Sequence, residues 1–283
     1  MWKMLRHIGK THRRKLAATF GLVGLENLLL LVYPTFGGLA INAVIEGNAR
    51  LALLYALVVL MMWLVGALRR SMDTRTFTRI YTEIAVPVVL DQRHRQAPHS
   101  AITARVALSR EFVSFFEEHL PMAATSLASV FGACVMLLFL EFWVGVASVA
   151  VLILFLWLLP HFASISDNLY YRLNNRLEKD NHFTRNGSEA QLWKHYHLVG
   201  RLRVLISNRE ALGYLAVGIA MSLLFGLAFT WMTVRGHGSA GHVYSITTYL
   251  WMFAMSLDDV LRLVEQYSNL KDIGRRVEMA QPA

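Results

Sequence analysis

The sequence predicts an all-α polytopic membrane protein with six transmembrane helices. Three observations carry the prediction: six apolar stretches of membrane-spanning length, no strand-like alternation within them, and basic residues confined almost wholly to alternate connections. The spans read as 17–42, 51–72, 121–142, 143–165, 211–234 and 243–262, each close to the ~20 residues that a helix needs to cross the hydrocarbon core. Only helices and closed barrels satisfy every backbone polar group in lipid, and continuous Leu, Val, Ala and Phe runs lack the period of a barrel strand.

The arm 1–16 carries Lys3, Arg6, Lys10, Arg13, Arg14 and Lys15. The apolar run behind it is too long for a cleaved signal peptide, so arm and first span read as an uncleaved signal anchor. Further basic residues follow from Arg69 to Arg110, from Arg172 to Arg209, and at Arg262, Lys271, Arg275 and Arg276. All of the 28 Lys and Arg residues except Arg50 and Arg235 therefore fall on one side. The positive-inside rule makes that side, with both termini, cytoplasmic. The expected location is a plasma membrane, that of a bacterial inner membrane. The connections on the other side are short, near Glu46 to Arg50, Glu141 to Gly145 and Arg235 to Val243.

The cytoplasmic connections 73–120 and 166–210 are long enough for extensions of two neighbouring helices and a turn. The first holds Asp73, Ile80, Ile84 and Leu90 with no Gly, and Pro87 is its only breaker before Gln96 to Ser100; a helix resumes near Ile102 and carries Phe112, Phe115 and Phe116. The second continues the fourth span through Tyr171 and Asn175 to His182 and turns at Asn186, Gly187 and Ser188. Each stalk projects about 25 Å at 1.5 Å per residue. Residues 1–283 thus read as a single six-helix transmembrane domain with an N-terminal arm and two helical stalks.

Several function classes are excluded. The net charge of +9 is explained by topogenesis and by contact with anionic membrane lipid, and no aromatic-basic module or finger spacing points to nucleic acid. Cys134 is the one cysteine, so no internal disulfide forms. His237 with His242, and His195 with His197, lack i,i+4 spacing and neighbouring Cys, so no metal is expected, and no cofactor motif is present. No nucleophile and base accompany each other in the spans, which argues against an enzyme. Gly9, Lys10 and Thr11 match only the tail of a phosphate-binding loop, with Met4 where its first Gly belongs, and they follow no strand.

Ionisable residues within or beside spans mark candidate proton-coupling sites, because burial raises a carboxyl pKa toward neutrality. Glu26 lies deep in the first span, where the alternative is an ion pair that fixes packing. Asp258 and Asp259 lie near the end of the sixth span, where Asp258 and Arg262 are also spaced for an i,i+4 pair. Glu117 and Glu118 precede the third span as a gate or an interfacial cap. Asn27, Tyr33, Thr125, Ser129, Ser222, Thr230, Thr248, Tyr249 and Trp251 are candidates to line a substrate cavity, although small hydroxyl residues also serve helix packing. A mixed polar and aromatic lining suits an amphipathic, peptide-like or siderophore-like molecule.

The order of features resembles the transmembrane domain of an exporter-type ABC transporter. Pro34 to Asn42 looks like the outer end of that family's first helix, with Asn42 where an Asp is common. Ile102 to Glu111 resembles the segment after its first coupling helix, and Gly236 to Gly241 with Tyr244 to Leu250 resembles its last outer turn and sixth helix. The resemblance implies a domain-swapped homodimer in which the fourth and fifth helices reach across to the partner. It also implies coupling elements near Pro98 and Thr103 and near Gly187 and Trp193, where a nucleotide-binding domain docks. Because no phosphate-binding loop occurs in these residues, transport would be driven by a separate ATPase subunit or by protons. Proton drive is similar to that of the SbmA/BacA-type peptide importers. A non-transporting accessory or regulatory scaffold is the alternative function.

Overall fold

The computed structural model describes residues 13–94, 117, 120–177, 180, 183–184, 187–236 and 238–279. Six helices follow in order: α1 Arg13–Ile45, α2 Ala49–His94, α3 Leu120–Leu140, α4 Phe142–Leu177, α5 Glu189–Arg235 and α6 Ala240–Met279. Among the described residues there is no strand. The chain is an all-α polytopic membrane protein. Many of its large apolar side chains face outward, with Phe139, Trp157 and Leu223 each more than 70 % exposed, unlike a water-soluble fold.

Five helices, α1 to α5, are long and apolar enough to cross a membrane, and α6 is not among them. The sequence expectation was six. The difference has a physical reason, since Tyr244, Ser245, Thr247, Thr248 and Tyr249 lower the hydropathy of α6. Yet Ile246, Tyr249, Leu250 and Phe253 are fully buried at i, i+3, i+4 and i+7. The face of α6 that packs on protein does not need to be apolar at every residue, while the opposite face carries Trp251 and Met255, both more than half exposed. Its hydroxyls are satisfied locally, with Thr247 donating to the Val243 carbonyl at 2.7 Å and Thr248 to the Tyr244 carbonyl at 2.8 Å.

The helices outrun the bilayer where stalks are expected. α2 has 46 residues and α5 has 47, about twice what a span requires. At the N-terminus of α5, the Gln191 side chain accepts the Ser188 N–H at 3.0 Å, which satisfies one of the orphan donors there. At its C-terminus Gly236 adopts φ 62°, a left-handed cap that costs Gly nothing. Between α3 and α4 only Glu141 interrupts the helices, and the Gly145 N–H donates to its carbonyl at 2.9 Å.

The chain forms two compact units. The first comprises residues 1–133 and 238–249 and contains α1, α2, the start of α3 and the start of α6. Val23, Val65, Phe77 and Ile80 are among its buried residues. The second comprises residues 134–237 and 250–283, with the rest of α3 and α6 and all of α4 and α5. On α5, Met221, Leu224, Ala228 and Met232 form its buried stripe, and Leu173, Val199 and Ile206 form a core toward the other end of the α4–α5 pair.

Candidate functional site

Two polar clusters stand out, one in each unit. In the first unit, the Arg69 guanidinium of α2 pairs with Glu26 of α1 and, at 3.1 Å, with Asp73 one turn along α2. Glu26 therefore has a fixed cation partner across the α1–α2 contact. Asn27, beside it, has a buried side-chain oxygen with no hydrogen-bond partner among the described residues.

The same unit holds a close α1–α6 seam. Pro34 has no N–H to donate to the Leu30 carbonyl, which interrupts the helical ladder of α1, and side chains of α6 donate to the nearby Leu31 and Pro34 carbonyls. Tyr249 donates to the Leu31 carbonyl at 2.6 Å, with Thr35 Oγ1 at 2.7 Å, and Ser245 donates to the Pro34 carbonyl at 2.9 Å. A Cβ on Gly38 would run into Ser245 Oγ and the Gly241 carbonyl, and one on Gly241 into the Gly38 carbonyl. Asn42 closes the seam, accepting the Gly241 N–H and donating to Ser239 Oγ, both at 2.9 Å. Tyr33 stacks obliquely on Tyr55 at 5.5 Å, and its hydroxyl is 3.4 Å from that of Tyr244.

The second unit contains an acidic cavity of about 540 Å³ lined by α4, α5 and α6. Glu210, Asp258 and Glu265 line it with Arg262, Tyr170 and Tyr214. Arg262 pairs with Asp258 at 2.9 Å, the i,i+4 spacing read from the sequence. Beside the cavity, Arg209 is buried and lies 3.5 Å from Glu265. Its guanidinium also donates to Ser166 Oγ and to the Phe162 carbonyl, and rests 3.5 Å from the centre of the Phe162 ring.

Glu265 is 8 % exposed. Burial pushes its carboxyl up to about 7, the Glu210 carboxylate adds to the rise, and Arg209 opposes it. Glu210 also shares a hydrogen bond with Glu265, and Asp258 contributes a smaller upward push. Two carboxyl groups in contact cannot both ionise cheaply. Glu265 is thereby held well above the ordinary carboxylate range, at about 7.

The sequence candidates divide between the units. Glu26, Asn27, Tyr33, Thr125, Ser129, Thr248 and Tyr249 belong to the first, Ser222, Thr230, Trp251 and Asp258 to the second. Tyr33 and Tyr249 both meet α6 or α1 through their hydroxyls, and Tyr249 is fully buried. Thr125 and Ser129 are half-buried on α3, whereas Ser222 and Thr230 are exposed on α5. Trp251 is 55 % exposed, with its ring 5.5 Å from that of Phe225. Asp258 joins the acidic cavity, while Asp259 is half-buried and has a partner of its own. Glu117 is half-buried and also engaged. Gly187 donates its N–H to the Phe183 carbonyl at 2.8 Å, and Trp193 is 73 % exposed in the second turn of α5. Glu118, Pro98 and Thr103 lie outside the described residues. Arg209, Glu210 and Glu265 were not singled out from the sequence. The signal was present in α6, where Asp258, Arg262 and Glu265 follow at i, i+4 and i+7 and so share one face.

The family model described as the ABC transporter transmembrane region matches residues 5–241. The chain belongs to this family. No curated protein matches it significantly. As an ABC transporter transmembrane region it is a multi-pass membrane protein of a transporter family, whose transmembrane domains pair with a nucleotide-binding partner or dimerise. The match covers α1 to α5 and ends as α6 begins. The α6 residues that line the acidic cavity, Asp258, Leu261, Arg262, Glu265 and Gln266, therefore lie beyond the matched residues of this ABC transmembrane region.

Proposed function

We propose that the chain is an alternating-access transporter of an amphipathic, peptide-like or siderophore-like substrate, and that proton movement at the acidic cavity is linked to transport. One observation carries this reading. Glu265, buried against Glu210, is raised to about 7, so it exchanges its proton in the range that a membrane pH gradient spans. Deprotonation leaves Glu265 and Glu210 repelling each other while strengthening the attraction of Glu265 to Arg209. The cavity charge is thus coupled to the mutual packing of α5 and α6, the kind of bias that an alternating carrier needs. Glu26, tied to Arg69, serves in this reading to hold α1 on α2.

The chain acts as a homodimer in the plasma membrane, with the basic arm and stalks on the cytoplasmic side. Asn27, Tyr33, Thr125, Ser222, Thr230 and Trp251 supply the hydroxyl, amide and aromatic groups for a mixed substrate lining. It is not itself an enzyme and holds no cofactor. A second reading, favoured by the family membership, is drive by a separate ATPase subunit docking at the stalk ends. The exposed Trp193 beside the Gly187 turn is suited to that contact.

Flux of a dye-labelled amphipathic peptide into liposomes containing only this protein tests the proposal. Uptake that requires a pH gradient and is lost in Glu265→Gln supports proton linkage. Uptake that ignores the gradient, or survives the substitution, overturns it. Flux that appears only with an added ATPase and ATP supports the second reading, and partner binding without flux supports a scaffold.

A further inference from the structure

A second cavity, of about 560 Å³, lies on the flank of the α4–α5 pair. Its lining is Arg172, Asn175 and Arg176 from α4 and Leu198, Arg201, Leu202 and Leu205 from α5. Spacings of i, i+3 and i+4 on α4, and i, i+3, i+4 and i+7 on α5, put each set on one helix face. Leu202 belongs both to the cavity wall and to the apolar core of Leu173, Val199 and Ile206. The arginines therefore stand on a packed base.

Three guanidinium groups face one space with no carboxylate among its described lining residues. The arrangement contrasts with the acidic cavity, where Arg262 and Arg209 each have an acid within ion-pair distance. Among the described residues, Arg172, Arg176 and Arg201 have no ion-pair partner. A positive cytoplasmic face explains basic residues on a stalk, but not their convergence from two helices on one cavity. Their mutual repulsion is relieved when an anion enters. Guanidinium forks match phosphate oxygens two at a time, and Asn175 adds an amide. The leucines make the site amphipathic, and its volume exceeds that of a lone phosphate.

Position along the helix also favours phosphate. Arg172 lies seven residues past Ile165, the end of the apolar stretch, or about 10 Å along α4 at 1.5 Å per residue. Headgroups extend roughly 5–8 Å beyond the hydrocarbon, and an arginine stem reaches back toward them. Arg176 and Arg201 stand farther out, where they meet a larger headgroup or a soluble molecule.

We propose that this cavity binds a phosphate-bearing anion, the headgroup of an acidic phospholipid or a soluble phosphoester, through Arg172, Arg176 and Arg201. Leu198, Leu202 and Leu205 take its apolar part. The proposal is independent of how transport is driven.

The test measures binding to the purified full chain in two arms. In one, native mass spectrometry compares retention of phosphatidylglycerol and cardiolipin with that of phosphatidylcholine. In the other, thermophoresis in a neutral detergent follows pyrophosphate. Each arm uses the wild type, the triple variant Arg172→Gln/Arg176→Gln/Arg201→Gln, and a charge-matched control, Arg75→Gln/Lys194→Gln/Arg203→Gln, whose residues lie outside the cavity. Retention of acidic lipid that drops at least tenfold in the cavity variant, but not in the control, supports the site with a lipid occupant. Pyrophosphate binding lost in the same pattern supports a soluble occupant. Equal loss in both variants means general attraction to a basic surface and overturns the proposal, as does binding in neither arm. The exposed Arg201→Gln alone, expected to weaken binding several-fold, replaces the triple variant if that variant does not fold.

Discussion

Replacing Glu265 by Gln should flatten the pH dependence of stability. The folded protein holds this carboxyl at about 7 against an ordinary 4.5, a gap of ~2.5 units, or about 3 kcal/mol at 1.36 kcal/mol per unit. The direction follows from which state binds the proton. Below 4.5 both states are protonated and the site contributes no difference. Between 4.5 and about 7 the unfolded chain releases the proton while the folded chain keeps it, so stability falls as pH rises. Above 7 the full penalty of a buried carboxylate is present. The groups facing Glu265 are Tyr170 and Ser166 on α4, Arg209 and Glu210 on α5, and Asp258 and Arg262 on α6. Gln has no proton to lose, and Arg209 keeps its acceptors at Ser166 and the Phe162 carbonyl. Thermal unfolding in detergent, run on wild type and Glu265→Gln from pH 4.5 to 8, should give curves that diverge by up to about 3 kcal/mol toward high pH, with the variant the more stable there. Parallel curves would refute the assignment of a near-neutral proton to this carboxyl. Glu210→Gln, by removing the like charge, should lower the pKa of Glu265 and close part of the window from above.

Other outcomes follow from the two units. Arg69→Gln strands Glu26 and Asp73 without their cation and should cost about 3–5 kcal/mol, read by thermal melting; Glu26→Gln added to it should recover part of the loss. Gly38→Ala drives a methyl group into Ser245 and the Gly241 carbonyl and should cost about 1–3 kcal/mol, whereas Gly24→Ala, with no neighbouring atom within 4 Å, should leave the melting temperature near that of the wild type. Tyr249→Phe removes the donor to Leu31 and should cost about 1 kcal/mol in the same assay. Trp193→Ala should leave melting unchanged, because the side chain is 73 % exposed; if an ATPase docks there, copurification with that subunit should fall.

The helices were legible because lipid imposes a simple rule on sequence. Long apolar runs and one-sided arginines gave the all-α polytopic class, the long α2, α4 and α5, and the break at Glu141. Partners across helices were not legible. Nothing local in the sequence says that Glu26 meets Arg69 rather than water or another carboxylate, because i,i+4 spacing reaches only within one helix. Asp258 with Arg262 is visible for that reason, whereas Glu265 one turn further lies just beyond the sixth apolar stretch. There it reads as ordinary solvated stalk. Its burial depends on Arg209 and Glu210, more than fifty residues earlier in the chain, and no periodicity carries that information. The depressed hydropathy of α6 was equally ambiguous, since hydroxyls in a span serve either a cavity or a buried seam. Tyr249 and Thr248 spend theirs on backbone carbonyls.

The glycine contact between α1 and α6 has a consequence for traffic. Where the Gly38 and Gly241 backbones meet, there is no volume for a lipid tail, a water file or a substrate side chain. While Asn42, Ser245 and Tyr249 keep their bonds across it, that seam is a weld and not a doorway. The neighbouring stretches of α1 and α6 must then turn as one piece. Any passage through the membrane therefore lies elsewhere than between these two stretches of helix.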